Sequence, residues 1–573
     1  MTLLHFRLES AMNKCFSAEI KMNAEVNAPD TMVRHFRQIL LWPLQLMPIQ
    51  DNAQIQKHWE VLENSGPENP WRELSSEFSG DQSSFQRRHY NEFVTFLPHV
   101  QRFLYGEGLA RGKGGWHAES PMRVFRRRDI ARAKATFRRD RPPVTFEVGH
   151  VELYFFYDID IVVLALELFA EDISLDDVQN TLYRFGRAYP LDWDADGTGN
   201  HCVDKIEWLS ADARVLACSD YDSEGKYLSF VSHYRSPYIA SHWEFLLKPM
   251  AMHYSGEQGL IRYRQLEFHR MPLMAYIALD DPHALTRADF VRLGLAAVPG
   301  KPDVLPYSER HLLRFERRYC YDRHWSREGD EMNTRFICSG RILIAVGSAR
   351  KAAFVDSETG MLGQFRHQYF LLFLIAHFHR AALLMLSDRL VIALNDLDIQ
   401  NADSVRNFKR LIRHTFEIFL RFTHRYWFHD VSDQAQARDL FHLCTGNLGT
   451  DDLYNEVREE IQDMSSYLDS DTLRRQSNSM VRLTVSTIFG MMATVTSGFL
   501  GMNLIAEADA TWGLKLFYFL MVGVPSVMLA LYVILKSKRL SDFLDALADE
   551  RLSPRSKSVA AENIFRKRTR PVR

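Results

Sequence analysis

The sequence predicts an α+β fold in which a large α/β domain is followed by a layer of long helices, a stalk helix and two transmembrane helices. Three observations support this prediction. Up to residue 361, strand-like apolar runs alternate with segments of helical periodicity. After about residue 362 the strand patterns stop. Two runs of twenty residues, 483–502 and 516–535, contain no Asp, Glu, Lys or Arg, and each is long enough to cross ~30 Å of hydrocarbon.

These patterns divide the chain into seven segments, whose boundaries follow the changes in composition and the charged flanks of the two uncharged runs. In chain order we expect a cytoplasmic α/β domain, a cytoplasmic helical layer, a stalk helix, a first transmembrane helix, an outward-facing loop, a second transmembrane helix and a basic cytoplasmic tail. The corresponding residues are 1–361, 362–449, 450–482, 483–502, 503–515, 516–535 and 536–573.

The composition of the 573 residues excludes several classes of protein. A hydrophobic fraction of 46% is too high for a disordered chain, and a mean hydropathy of -0.24 is too low for a transporter filled with spans. A net charge of -2 gives no support to nucleic-acid binding. The six cysteines form no CxxC pair, which argues against a zinc ribbon or a disulfide framework. The first 30 residues lack the apolar core of a secretory signal.

Local patterns predict individual elements of the α/β domain. Ser174 followed by Asp177 predicts the start of a helix. Apolar residues at helical spacing predict helix over about 93–104, and the short apolar run 39–49, which Pro43 interrupts, predicts a loop or strand packed on the core. Further apolar runs predict strands at residues 144–148, 151–157 and 335–346.

Long helices are predicted beyond the α/β domain. Three helical stretches are expected at residues 364–396, 402–429 and 434–446. The run 452–502 contains no proline and, as one helix, would be ~76 Å long, so that only its end can lie in a membrane. The stretch 369–386 is apolar enough to span a membrane, but His377, His379 and Arg380 lie at its centre. Because a charge costs at least ~2.5 kcal/mol in hydrocarbon, we expect that stretch to be a buried helix.

Charges beside the two uncharged runs predict how the chain is oriented. Basic side chains precede the first run and follow the second, at Arg474, Arg475, Arg482, Lys536, Lys538 and Arg539. By the positive-inside rule both flanks, and therefore both termini, face the cytoplasm. The loop 503–515 carries Glu507 and Asp509 and is expected to face outward. The chain is thus predicted to be a two-pass integral membrane protein.

One face of the first uncharged run carries a stripe of small, hydroxyl and methionine side chains. Its positions recur at spacings of three and four, which places them on one side of a helix. The stripe consists of Ser477, Met480, Thr484, Thr487, Met491, Thr494, Gly498 and Gly501. Such residues permit close packing of transmembrane helices, and they equally suit a polar pore. Since two spans cannot enclose a water-filled path, the pore interpretation requires a homo-oligomer.

The stripe ends in Gly501-Met502-Asn503, which resembles the GMN signature of the CorA-type magnesium transporter family. The resemblance includes the long charged helix before the signature, the acidic loop after it, the second span and the basic cytoplasmic end. It departs from the family pattern at Ser477, where the family has Asn, and in the first 360 residues, which do not align. The resemblance implies a funnel-shaped homopentamer in the bacterial inner membrane that passes Mg²⁺ down its electrochemical gradient, without an organic cofactor and without nucleic acid as a partner.

The resemblance also implies roles for individual residues. Gly501, Met502 and Asn503 would form the selective outer mouth, where Glu507 and Asp509 raise the local cation concentration. Neutral oxygens suit this role because Mg²⁺ gives up its water reluctantly. The expected pore-lining residues are Ser477, Met480, Leu483, Thr484, Thr487, Met491, Thr494 and Gly498. Cytoplasmic divalent ions would close the funnel at regulatory sites between subunits, for which the stalk offers Glu459, Asp463 and Asp469; a solvated charged face is the alternative for these three.

Other patterns leave alternatives open. Asp192 begins a sequence like an EF-hand loop, but its twelfth position is Val203 rather than Glu, which favours a polar turn. The basic run 123–141 is expected to be a solvated helix face or to form salt bridges between subunits. Histidines that could bind a transition metal or simply be buried are His377, His379, His424 and His429, near Asp430. No catalytic motif is present, so the chain is not predicted to be an enzyme. A zinc, cobalt or nickel transporter and a membrane-anchored sensor that does not transport remain alternatives to the Mg²⁺ channel.

Overall fold

The computed structural model describes residues 31–49, 56–74, 87–106, 121–253, 255, 259, 261–266, 270–300, 304–326, 333–398, 401–506, 511–517, 520–521, 523–525 and 528. Its strands are β1 Met32–Leu46, β2 Trp71–Glu73, β3 Met122–Arg127, β4 Arg132–Thr136, β5 Val144–Phe156, β6 Ile159–Ser174, β7 Lys205–Leu209, β8 Val215–Cys218, β9 Ala251–Met252, β10 Arg262–Gln265, β11 Leu273–Leu279, β12 Cys320–His324, β13 Thr334–Cys338 and β14 Ile342–Ser348. Its α-helices are α1 His58–Glu63, α2 Arg87–Thr95, α3 Pro98–Tyr105, α4 Leu175–Arg184, α5 Glu224–Tyr234, α6 Ser241–Leu247, α7 Arg287–Leu295, α8 Glu309–Tyr319, α9 Ala352–Val355, α10 Met361–Gln364, α11 Phe370–Asn395, α12 Ala402–Arg425, α13 Ala435–Leu448 and α14 Thr450–Ala506. The chain forms two compact units, Met1–Glu459 and Glu460–Arg573.

The strands of the described ranges join in one sheet within the first unit. Its main path runs in the order β12-β13-β14-β11-β1-β6-β5-β4-β7-β8, with β2, β3, β9 and β10 attached at its sides. Two pairs, β11 with β14 and β9 with β10, are parallel. The three longest strands, β1, β5 and β6, lie next to one another and are antiparallel. The mixed α+β architecture predicted from the sequence is confirmed.

Strand β1 crosses the centre of the sheet although it contains a proline. On one side it pairs with β6 along most of its length. On the other side its pairing with β11 ends at Leu40 and its pairing with β10 begins at Leu44. The N–H groups of Leu41 and Met47 point to that second side. Pro43 lies an even number of residues from both, so its nitrogen points the same way, into the gap between the paired stretches of β11 and β10. Proline is tolerated there because neither β10 nor β11 pairs with this position, so the missing N–H group removes no hydrogen bond of the sheet.

Helix α4 begins where the sequence predicts it. The Ser174 side chain accepts a hydrogen bond from the Asp177 N–H and caps the first turn. The predicted helix over 93–104 is interrupted: α2 ends at Thr95, and α3 begins with Pro98 in its first turn. The break follows from the proline, which disfavours helical backbone in the residue before it.

The basic run 123–141 corrects another expectation, because it contains two strands and not a helix face. Strands β3 and β4 place its arginines within reach of acids from the same chain. The Arg126 Nε donates to Glu152 at 2.8 Å, and the Arg132 Nε donates to Glu147 at 3.0 Å. Part of this positive charge is therefore neutralised inside one subunit.

Helix α11 lies on the sheet as a buried layer. It packs across β1 and β6 and against α12 and α13. The Phe378 ring is fully buried and stacks on Phe156, with ring centroids 3.8 Å apart. The Arg380 guanidinium at its centre donates to the Leu448 carbonyl at 2.6 Å. The charged centre of this apolar helix is thus paired inside the protein, as the sequence predicts.

One helix in the described part of the chain is long and apolar enough to cross a membrane. It is the continuous helical stretch Met361–Asn395, which includes a π-helical turn at Phe365–Tyr369. The protein itself buries 83% of its most apolar window, and this fits its place on the sheet.

Candidate functional site

Helix α14 is the element that carries the predicted ion path. It is continuous over 57 residues, from Thr450 to Ala506, and is therefore ~86 Å long. Gly449 separates it from α13 by adopting a left-handed conformation, with φ of 66°. Helix α13 continues through Leu448, two residues beyond its predicted end at residue 446.

The side chains of α14 from residue 480 onward face outward wherever the structure describes them, apart from the half-buried Gly501. Met480, Leu483 and Met491 are 68%, 69% and 69% exposed. Large apolar side chains at this exposure form a continuous surface that water covers poorly. Exposed apolar side chains of this kind are typical of surfaces that contact lipid or another protein.

Three threonines of the stripe share one hydrogen-bonding arrangement. The hydroxyl of Thr484 donates to the Met480 carbonyl at 2.9 Å, that of Thr487 to Leu483 at 2.7 Å, and that of Thr494 to Gly490 at 2.8 Å. Each bond uses the hydroxyl proton within the helix. The oxygen lone pairs remain on the exposed side, and these are the groups that accept hydrogen bonds from water. The stripe thus offers neutral acceptors at successive levels of the helix.

The glycines of this segment leave space beside the helix. A Cβ atom added to Gly490, Gly498 or Gly501 would meet no atom of the described chain within 4 Å. Among the described residues, therefore, no close contact requires glycine at these positions. They leave room for another helix to approach the α14 backbone.

The structure corrects the expected outer end of this helix. Gly501, Met502 and Asn503 all lie within α14, so Gly501 does not turn the chain. The expected loop 503–515 is shorter than predicted, because α14 continues to Ala506 and residues 512–517 are helical again. Glu507 and Asp509 lie outside the described residues. No side-chain position is described for Ser477, Met502 and Asn503.

The proposed regulatory acids lie on the stalk part of α14. Glu459 and Asp463 are exposed and one helical turn apart, and Asp469 follows on the same helix without a described side chain. In the described ranges, no three His, Cys, Asp or Glu side chains converge to hold a metal ion.

The histidines of the helical layer are held by backbone carbonyls. The Nε2 atom of His379 lies 2.6 Å from the Tyr426 carbonyl, and Nδ1 of His377 lies 3.0 Å from the Phe373 carbonyl. Burial lowers the pKa of His379 to about 3, so its ring is neutral. The Asp192 segment is a polar turn, in which the Asn200 amide donates to Asp194 at 3.0 Å.

A buried ionic cluster beneath the helical layer was not found from the sequence. Glu167 on β6 is fully buried and accepts hydrogen bonds from Arg37 at 2.6 Å and Arg366 at 2.8 Å. His150 Nδ1 lies 2.7 Å from the same carboxylate, and its Nε2 lies 3.6 Å from Glu152. Because Arg366 belongs to the π-helical turn before α11, the cluster attaches the helical layer to the sheet. The position of Glu167 among apolar residues in the middle of β6 is the signal that could have revealed it.

Charge interactions outweigh burial in this cluster. Burial alone raises the pKa of Glu167, but His150, Arg37 and Arg366 more than compensate and hold the pKa well below its ordinary value. Burial alone lowers the pKa of His150, whereas the carboxylates of Glu152 and Glu167 raise it to a net value above the ordinary one. The lowered pKa values of Glu152 and Glu167 and the raised pKa of His150 all favour the charged forms, which attract one another.

Comparison of this chain with protein-family models, with curated proteins and with solved structures gives no match. The candidate site therefore rests on the residues and geometry of the chain itself.

Proposed function

We propose that this chain is one subunit of a homo-oligomeric channel, a pentamer by the resemblance, that passes Mg²⁺ down its electrochemical gradient. The observation that supports the proposal best is the exposed face of α14, where hydroxyl oxygens alternate with methionines and lead to Gly501-Met502-Asn503. Copies of this face around an axis would enclose a path lined by neutral oxygen acceptors. Such a lining suits a small divalent cation that keeps its water shell.

In this proposal the residues along the axis have separate tasks. Asn503 and nearby carbonyls accept hydrogen bonds from the hydrated ion at the outer mouth, while Glu507 and Asp509 attract cations to it. The oxygens of Thr494, Thr487 and Thr484 then accept hydrogen bonds from the shell of the moving ion. Met491, Met480 and Leu483 form apolar rings that close the path when they exclude water. The membrane potential supplies the driving force, at ~2.3 kcal/mol per charge per 100 mV.

The membrane placement belongs to the same proposal. Segments 483–502 and 516–535 cross the bacterial inner membrane, and both termini lie in the cytoplasm. The basic flanks and the two uncharged runs support this arrangement. Regulation would come from cytoplasmic divalent ions bound between subunits by Glu459, Asp463 and Asp469, since one chain alone does not bring three such groups together in its described part.

An Asn503→Ala variant tests the proposal. The wild-type protein and the variant are reconstituted in liposomes, and the uptake of Mg²⁺ and Zn²⁺ is measured with internal fluorescent indicators. We expect the wild type to pass Mg²⁺ and the variant to lose its preference for Mg²⁺ over Zn²⁺. A Ser486→Ala variant is the matched control, because Ser486 is exposed and lies outside the stripe, ~100° around the helix from Thr487.

Each different outcome identifies an alternative. A wild type that prefers Zn²⁺ is a zinc transporter. A wild type that passes neither ion contradicts transport and leaves a membrane-anchored sensor. Selective flux that is unchanged in Asn503→Ala removes the asparagine ring from the mechanism.

A further inference from the structure

Helix α8 carries an exposed stripe of arginines on the surface of the first unit. Arg310, Arg314 and Arg317 follow one another at spacings of four and three, on the side opposite the buried Leu312 and Phe315. None of the three makes an ion pair or hydrogen bond to a described residue. They form one wall of a groove of about 520 Å³ along the helix.

The acids nearest to this arginine stripe already have a partner. Glu309 and Glu316, on the same helix, both accept hydrogen bonds from Arg287, at 2.7 Å and 2.6 Å. The positive charge of the arginine stripe therefore stays uncompensated within the described part of the chain. An uncompensated row of guanidinium groups suits a partner with carboxylates at matching intervals.

The start of α14 carries such a row. Asp452, Glu456 and Glu459 are exposed at spacings of four and three, which is the same repeat as that of the arginine stripe. The row, called here the acidic stripe, lies on the side of the helix away from the buried Val457 and Ile461. Its carboxylates likewise have no described partner in the chain.

The C-terminal end of α8 lies close to the beginning of α14. The Arg318 Nε at the end of α8 donates to Asn447 at 3.0 Å, and Asn447 is three residues before the first residue of α14. Both stripes face away from the core of their own chain. Two different, complementary surfaces on one molecule make a head-to-tail contact, and such a contact closes a ring when its rotation permits.

We propose that the arginine stripe of one copy of this chain docks on the acidic stripe of the next copy. This inference rests on the self-association that the proposed function requires, but not on ion transport. The partner is a second copy because this chain itself supplies carboxylates at the spacing that the arginines need. The contact would form a ring of ion pairs around the base of the α14 helices.

Charge reversal tests the contact in the full-length protein. The variants are Arg314→Glu with Arg317→Glu, Glu456→Arg with Glu459→Arg, and all four changes together. Size-exclusion chromatography with light scattering gives the protein concentration at which the oligomer half-dissociates in detergent. We expect each reversal to raise that concentration ~10-fold or more, since like charges then face each other, and the four-fold variant to return close to the wild type.

The matched control is Arg128→Glu with Arg214→Glu, which changes the net charge equally at two exposed arginines away from both stripes; it should leave the oligomer unchanged. Since all six positions are exposed, the thermal unfolding midpoint should not change. If a reversed variant does not fold, the wild type is measured in 1 M salt, where the docking contact must weaken. An oligomer that is insensitive to both reversals and to salt overturns the inference.

Three further outcomes distinguish docking between copies from lipid binding and from ion transport. If the reversals dissociate the oligomer but the four-fold variant does not recover, the stripes do not contact each other and the inference is wrong. If reversal of the arginine stripe leaves the oligomer intact but abolishes adsorption to phosphatidylglycerol vesicles, the stripe binds lipid and the inference is again wrong. Charge-dependent assembly without ion flux supports the inference while contradicting the proposed function.

Discussion

Two long helices of this chain, α11 and α14, lie in opposite surroundings. Helix α11 is covered by β1 and β6 on one side and by neighbouring helices on the other, so that most of its apolar window is buried. The second half of α14 exposes its described methionine, leucine and threonine side chains. The length of a helix alone therefore does not determine whether it is buried. The distinction lies in what the rest of the chain provides to cover each helix.

The polar groups of the two helices differ in the same way. In α11 the central polar groups, such as His379 and Arg380, are bonded to carbonyls of other elements. In α14 the threonine hydroxyls are bonded to their own helix and leave lone pairs outside. The hydrogen bonds of α11 link this helix to its neighbours in the core. Those of α14 leave hydroxyl oxygens exposed, where they can contact water, ions or another copy of the chain.

The largest expected effect concerns the buried helix. Phe378→Ala in α11 should destabilise the first unit by about 3–5 kcal/mol, because the ring is fully buried and its removal leaves a cavity. Met491→Ala in α14 should change the free energy of unfolding by less than ~0.5 kcal/mol. Urea unfolding followed by tryptophan fluorescence measures both. Equal effects at the two positions would contradict the contrast between the helices.

A smaller effect is expected where α14 has open space. Gly498→Leu should leave the secondary structure unchanged, because a Cβ atom there meets no atom of the described residues within 4 Å. It should weaken the oligomer by about 2 kcal/mol or more, since a large side chain prevents close approach of a second helix. Circular dichroism and native mass spectrometry make the two measurements. A stable oligomer of the variant would show that this face does not contact another copy.

The hydroxyl stripe should affect transport but not assembly. Replacement of Thr487 and Thr494 by Val keeps the side-chain shape and removes both oxygens. Since a hydrogen bond to a charged species contributes about 1.5–3 kcal/mol, Mg²⁺ flux should fall about tenfold or more. Ser486→Ala, outside the stripe and ~100° around the helix from Thr487, should keep the wild-type flux. The paired variants are compared at equal oligomer content, and similar flux in both would remove the hydroxyls from the ion path.

The smallest effect is a pH dependence of the core beneath α11. The raised pKa of His150 means that its contribution to stability is complete below about pH 6.5 and declines as the pH rises through the folded-state value. The lowered pKa values of Glu152 and Glu167 add stability above about pH 4.5, which is lost on acidification. His150→Gln should cost about 1 kcal/mol near pH 5.5 and less at pH 8.5. Urea titrations across this range should show a difference that shrinks towards high pH; a constant difference would contradict the role of the charge.

Sequence patterns predicted the elements whose signal is local. The capped start of α4 at Ser174, the buried strand around Pro43 and the three helices of the layer follow from periodicity, caps and charge. The ends of helices were predicted less accurately. Helix α14 continues past Gly501 and ends at Ala506, because a glycine in a long helix permits a turn without requiring one.

Features that join distant parts of the chain could not be predicted. The partners of Glu167 come from β1, β5 and the π-helical turn before α11, and no spacing in the sequence reveals that meeting. The basic run 123–141 forms ion pairs inside the chain because β3 and β4 place its arginines beside acids of β5. The charge pattern alone does not specify this pairing. The stripe on α14 could be predicted, because residues on one face of a single helix recur at spacings of three and four in the sequence.

Cysteine accessibility along α14 is the most direct test of whether its hydroxyl-bearing face lines an ion path. Thr484, Thr487, Thr494 and Ser486 are replaced singly by Cys, and Mg²⁺ flux into liposomes is measured before and after a water-soluble, charged thiol reagent. The wild type treated with the same reagent shows any effect of the native cysteines. If this face lines the path, the reagent blocks flux at the three threonine positions and not at Ser486. Flux that is blocked equally at all four positions, or at none of them, would contradict a pore lined by this face.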